Sequence, residues 1–314
     1  MNPPSEPTVR RRRASITETL LTQASHLESE LASSLLILWD DLPSWRRDNA
    51  FILSGYRRST ASFSDCFGSL GYLHNETVNI YSHLLGSAAF LSAAALCLSV
   101  IRPRYAAASD ADLLVFGCFF AGAVLCLGMS AVYHAVSSHS EAVSRWGNKL
   151  DYSGIVFLIV GSFVPTLYYG FFCEPELMTI YLGIISTLGF ACGLVSWIDR
   201  FRTPEWRPYR AGMFVGLGTS GVFPILHGIQ IYGFKGMDER MSLRLVALHG
   251  LVYIIGAVLY AARWPERTMP GKFDIWGSSH QIFHVCVLIA AGIHLYAMAQ
   301  AFDHHHTVMG SQCS

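Results

Sequence analysis

His280 and His284 stand four residues apart, so on a helix both imidazoles project from one face, about 6 Å apart along the axis, where two ring nitrogens can share one cation. Ser130 and His134 repeat that spacing elsewhere in the chain. A third imidazole from His134 would complete the three-nitrogen set of a catalytic zinc site and leave the fourth position to water. Three neutral nitrogens suit one zinc ion better than magnesium or calcium, which prefer oxygen. Asp151, 17 residues after His134, could accept a hydrogen bond from a water on that metal rather than bind the metal itself. Glu76, Asn79 and His83 are neighbours on one helical stretch, and of these His83 is expected to brace a ligand or tether helices rather than coordinate.

These eight residues interrupt unusually apolar sequence. Of 314 residues 52% are hydrophobic and 14% charged, against about 25% charged in a soluble domain. Residues 1–76 hold 17 of the 44 charges, leaving 27 for the other 238 positions, and those cluster between charge-free runs. Seven runs exist, at 77–101, 113–140, 152–173, 177–198, 211–234, 245–262 and 275–302, each of 18 to 28 residues. About 20 apolar residues carry a helix across a bilayer. The pattern excludes a soluble globule, a collagen, a disulfide-stapled miniprotein and, with zero net charge and no basic domain, a nucleic-acid binder. Porin strands, about 10 residues of alternating polarity, do not fit either. The expected fold is an all-α membrane protein, a seven-transmembrane helix bundle with spans near 77–101, 113–137, 151–173, 177–198, 211–234, 244–263 and 276–301.

Lysine and arginine placement orients the bundle. With the amino terminus in the cytosol, the inner segments carry 17 of these residues and the outer segments five. The amino terminus is therefore expected to be cytosolic and the carboxyl terminus extracytosolic. In that frame the starts of odd spans and the ends of even spans share one face, so all eight polar residues gather at the cytosolic end. His227, His249 and His294 fall elsewhere along their spans, the first two roughly 15 to 25 Å from the cluster at 1.5 Å per residue, and are read as packing residues.

Four regions follow: a cytosolic amino-terminal region over 1–39, partly disordered but helical over 26–39; a juxtamembrane amphipathic segment over 40–76; the seven-span zinc-binding domain over 77–302; and a short tail over 303–314. The first 30 residues lack the apolar core of a secretory signal. Trp45, Phe51 and Tyr56 among arginines suit a segment lying on the inner membrane surface. The eight cysteines form no CxxC pair and are expected to pack, and His304, His305 and His306 beside Asp303 are expected to form a solvated tail.

Together the motifs resemble one family over roughly residues 42–300: LPSWRRDNAFILSGYR at 42–57, ETVNIYSH at 76–83, SAVYH at 130–134, DYSG at 151–154, GSFVPTLYYGF at 161–171, RAGMFVGLGTSGVFPILH at 210–227 and PERTMPGKFDIWGSSHQIFH at 265–284. They are similar to the progestin and adiponectin receptors and their haemolysin-III relatives. Within that family the chain resembles the adiponectin-receptor branch, and its compact loops suit a fungal member. The resemblance implies a cytosolic amino terminus, opposite to G-protein-coupled receptors. It also implies zinc held by His134, His280 and His284, with Asp151 acting through water. The family is associated with ceramide hydrolysis and shares its Ser, Asp and three-His pattern with alkaline ceramidases.

Three functions are then open. The first is zinc-dependent hydrolysis of a membrane lipid amide such as ceramide: Asp151 moves the proton, Ser130 donates to the developing oxyanion, and Arg210 holds the released fatty-acid carboxylate, with Tyr152, next to Asp151 in the chain, a further candidate for the same cavity. In the second, a receptor, the zinc is structural and an extracellular ligand shifts helix packing, although the outer loops at 102–112, 174–176 and 235–244 are short. Transport of zinc or protons, the third, would need polar groups through the whole bilayer, whereas the cluster occupies one end. The protein is expected in the plasma membrane or endoplasmic reticulum.

Overall fold

Lipid offers backbone amides no partner, so each apolar run closes its own hydrogen bonds as a helix. The computed structural model describes residues 35–104, 108–310 and 313, and among them seven helical spans are long and apolar enough to cross a membrane. This makes the chain an integral, multi-pass membrane protein. Ahead of the spans lies α1 (Phe63–Gly68). The first four spans are α2 (Thr77–Arg104), α3 (Asp110–Val136), α4 (Glu141–Gly170) and α5 (Pro175–Trp197). The fifth, Pro204–Met241, is broken into α6 (Arg207–Thr219) and α7 (Val222–Met241). The last two are α8 (Leu243–Ala262) and α9 (Ser279–Thr307).

The fifth span reaches beyond the expected 211–234. Inside α7 the backbone leaves the helix at Gly233, with φ 71° and ψ 168°, a conformation only glycine adopts without steric cost. Between α3 and α4 the backbones meet along a glycine seam. A Cβ on Gly122 would lie 2.5 Å from the Phe157 carbonyl oxygen, one on Gly154 2.8 Å from Cys126 Cα, and one on Gly161 2.6 Å from the Cys118 carbonyl oxygen. Small residues let transmembrane helices approach this closely, which locks the helix carrying His134 to the one carrying Asp151.

Residues 35–76 build a platform against one end of the bundle. Its strands β1 (Leu36–Ile37) and β2 (Tyr56–Arg57) pair antiparallel, Leu36 with Arg57 and Ile37 with Tyr56. Leu42, Ile52 and Tyr56 form its small apolar core. Polar ties fix it: Asp48 pairs with Arg207 of α6 and with Arg263, and Asp274 accepts from the Leu53 amide at 2.9 Å and the Ser54 hydroxyl at 2.6 Å. The helix expected over 26–39 lies outside the described residues as far as 34. Beyond Leu35 the chain turns extended into β1, because Leu36 and Ile37 pair with β2 instead of continuing a helix.

Two expectations at the opposite end need correction. The last helix does not stop before the histidines but runs to Thr307; His305 is buried, and His306 Nε2 sits 3.2 Å from Asp112 Oδ2. Rings of Phe172 and Phe302 cover these imidazoles, and Asp112, which also accepts from the Tyr169 hydroxyl at 2.8 Å, gives His306 a partner that no solvated tail would offer. Nor are all the cysteines packing residues: Cys173, just past α4, is disulfide-bonded to Cys313. The other six are free.

Candidate metal centre

Two helices deliver the three imidazoles. His134 comes from the last turn of α3, and His280 and His284 from successive turns at the start of α9. One nitrogen from each lies within 4.8 Å of the others, and among the described residues this is the group that could hold a metal ion. His134 Nε2 and His280 Nε2 are 3.2 Å apart, and both rings lie within 5.0 Å of the other and of His284, centroid to centroid.

Hydrogen bonds fix which nitrogen is left over. The Nδ1 of His134 is 2.7 Å from Glu76 Oε2, and that of His284 is 3.2 Å from the Asn79 carbonyl oxygen. A carboxylate and a carbonyl only accept, so in both rings Nδ1 carries the proton and Nε2 presents a lone pair. Two lone pairs thus face His280, and a cation among the three rings would be held by both. This is the outer support that metal-binding histidines show. Glu76 also accepts from the Asn79 amide at 2.6 Å. Burial alone would raise its carboxyl pKa, but the His134 imidazole and the Asn79 amide hold it well below the usual carboxylate range. Nearby, burial and the Arg57 charge push His74 down to about 3, and its neutral Nδ1 accepts the Glu76 amide hydrogen at 3.1 Å. His83 stacks flat on His284, 3.6 Å between centroids at 9°, and is buried behind it.

A cavity of about 580 Å³ opens beside this cluster at the platform end of the bundle. His134, His280, Glu76, Asn79, Asp151 and Tyr152 all line it, as does Arg210. Asp151, on α4, receives a hydrogen bond from Ser130, one helical turn before His134 on α3. The Ser130 hydroxyl thus holds the carboxylate, where the sequence pointed it at an oxyanion. Arg210 Nη1 donates to the carbonyls of Phe201 at 2.5 Å and Thr203 at 2.8 Å, and its guanidinium lies 5.4 Å over the Tyr152 ring. The three remaining intramembrane histidines pair elsewhere: His227 with the Tyr181 hydroxyl at 2.9 Å, His249 with His294 ring to ring at 4.8 Å.

Sequence reasoning missed Arg207 and Tyr260. The Arg207 guanidinium lies 4.7 Å over the Tyr260 ring, which also neighbours His280 at 5.1 Å, and both Arg207 and Tyr260 line the cavity. Arg207 reads in sequence as one more inward-facing arginine, and Tyr260 as one more residue of an apolar helix. Nothing local marks either.

The family model described as "Haemolysin-III related" matches residues 71–295. The "ADIPOR-like receptor IZH2" of Saccharomyces cerevisiae is 47% identical over 274 residues, covering 87% of this chain and 86% of the yeast protein. The "Adiponectin receptor protein" of Drosophila melanogaster is 46% identical over 276 residues, 88% of this chain but 61% of the fly protein. The "Heptahelical transmembrane protein 4" of Arabidopsis thaliana is 33% identical, over 83% and 87% of the two chains.

Proposed function

The chain belongs to the haemolysin-III-related family, as an adiponectin-receptor-like seven-helix membrane protein, and on that premise we propose that it binds one zinc ion through His134, His280 and His284 and hydrolyses the amide of a ceramide-type membrane lipid. The observation that carries this reading is the pair of fixed tautomers: Glu76 and Asn79 each occupy an Nδ1, so two Nε2 lone pairs converge with His280 at the wall of a cavity that also contains Asp151. Zinc bound there would lower the pKa of a water toward 7 and polarise an amide carbonyl. Asp151 takes a proton from the attacking water and returns it to the leaving nitrogen as the C–N bond breaks. Ser130 holds the carboxylate toward the cavity. Arg210, propped by two carbonyls and stacked near Tyr152, supplies the charge that receives the fatty-acid carboxylate.

The platform end faces the cytosol in this reading. The arginine bias supports it, and so does the Cys173–Cys313 bond at the opposite end, since disulfides persist in oxidising compartments such as the extracellular space.

The test is zinc stoichiometry and ceramide hydrolysis on protein purified in mild detergent, wild type beside His284→Ala. One zinc per chain with fatty-acid release, both lost in the variant, is expected. Zinc without turnover in the wild type leaves a receptor with a structural metal, and no zinc at all removes the site.

A further inference from the structure

Besides Glu76 at its end, the platform reaches the metal centre through Arg57. Arg57, the last residue of β2, is among the most completely buried large side chains of the protein, 2% exposed. Its guanidinium lies under the final turn of α3. One terminal nitrogen donates to the Ala135 carbonyl at 2.7 Å and to Ser69 Oγ at 2.9 Å. The other donates to the carbonyl of His134 itself at 2.6 Å and to Ser137 Oγ at 3.2 Å. Last-turn carbonyls of a helix have no partner within it and carry the negative end of its dipole, so a buried cation there is a strong cap. The carbonyl it caps belongs to a proposed metal ligand.

His134 is therefore held at two points. Glu76 fixes its ring through Nδ1, and Arg57 fixes its backbone. We propose that Arg57 is a positioning residue for the metal centre: it sets the backbone of His134, so the amino-terminal platform governs metal affinity without contributing a ligand. This rests on the metal reading above. A fork with two donating nitrogens does this where lysine cannot, because one ammonium on a flexible stem cannot hold both carbonyls in fixed geometry. Arg57 is paired through its backbone at Leu36 while its side chain reaches into the bundle. Arg46, which donates to the Arg57 carbonyl at 2.5 Å, steadies it from the platform side.

The experiment measures zinc affinity in detergent by competition with a chelator, together with the visible spectrum of the cobalt-loaded protein, for wild type, Arg57→Met, Arg57→Lys and Leu42→Ala. Leu42 is buried in the platform core, 2% exposed, and packs with Ile52 and Tyr56 rather than with the metal cluster, so its truncation reports loss of platform stability alone. Expected is a loss of zinc affinity on the order of 10- to 100-fold in Arg57→Met, a smaller loss in Arg57→Lys, and a change below about threefold in Leu42→Ala even where its unfolding temperature falls as far. The cobalt spectrum should shift in the Arg57 variants and not in Leu42→Ala. Should Arg57→Met fail to fold, Arg57→Lys carries the comparison. Wild-type affinity in both Arg57 variants overturns the inference, and so does an equal loss in Leu42→Ala, which would make Arg57 an ordinary structural residue. A wild type that binds no metal fails at the earlier step and overturns the metal reading itself.

Discussion

Replacing Gly154 with alanine should separate two helices that meet at the candidate site. The added methyl would lie 2.8 Å from Cys126 Cα and 3.3 Å from the Cys126 carbonyl oxygen, both main-chain atoms that cannot swing aside. Carbon atoms settle at about 3.5–4.0 Å, so α3 and α4 must part by about 0.7 Å at this level. Ser130 is one turn beyond Cys126 and Asp151 one turn before Gly154, so the same displacement stretches their hydrogen bond. A hydroxyl hydrogen bond of usual length, lengthened that much, leaves the range of about 2.5–3.0 Å. Overpacking costs about 1–3 kcal/mol, and a weakened hydrogen bond to a carboxylate adds about 1 kcal/mol or more. The unfolding temperature of the detergent-purified protein should fall on the order of 5 °C. Gly183→Ala on α5 is the control: its methyl would meet nothing within 4 Å, and alanine favours the helix, so stability should hold or rise. Equal unfolding temperatures for Gly154→Ala and Gly183→Ala would refute the idea that backbone contact along the seam holds the site together.

Glu76→Gln should weaken zinc binding on the order of 10-fold, since the amide still accepts from the His134 ring but without charge; a chelator competition showing wild-type affinity would count against the tautomer argument. Because the folded protein keeps His74 neutral, with its pKa near 3 against 6.5 unfolded, the unfolded chain binds more protons between those values, and stability is lost as pH falls through that window. The loss from this residue should be about 1 kcal/mol between pH 6.5 and 5.5, and His74→Asn, which retains an acceptor for the Glu76 amide, should flatten that part of a melting-temperature profile. Asp112→Asn should lower the unfolding temperature through about 1–3 kcal/mol, because Ser109, Tyr169 and His306 all lose a charged partner; an unchanged melt would show that the outer cluster contributes no net stability.

The seven spans could be read from sequence because lipid leaves little room for compromise: a spanning segment must be largely helical and apolar, and charges retreat to its ends. His280 and His284 were legible for a similar reason, since a spacing of four on a helix fixes a shared face. The long-range partners were not. Arg57 meets the carbonyls of His134 and Ala135, and a carbonyl acceptor leaves no trace in residue type. Leu36 and Ile37 form a strand too short for any alternation to show, so the helical pattern before them ran on unopposed. Asp112 and His306 find each other only after α3 and α9 are packed, and in sequence the run of three histidines beside Asp303 looks like a polar end. Among 27 glycines, the one at 233 that breaks α7 carries no mark distinguishing it from those that merely pack.

The short ladder between β1 and β2 also has a mechanical meaning. Tension applied to the chain ahead of Leu36 is received first by two residue pairs, and the outermost of them is Leu36 with Arg57. Peeling that pair takes far less force than pulling a transmembrane helix from its neighbours, so the ladder is where a load would yield. What sits directly behind the yielding point is the guanidinium beneath His134. The first give in this part of the fold thus lies next to the candidate centre.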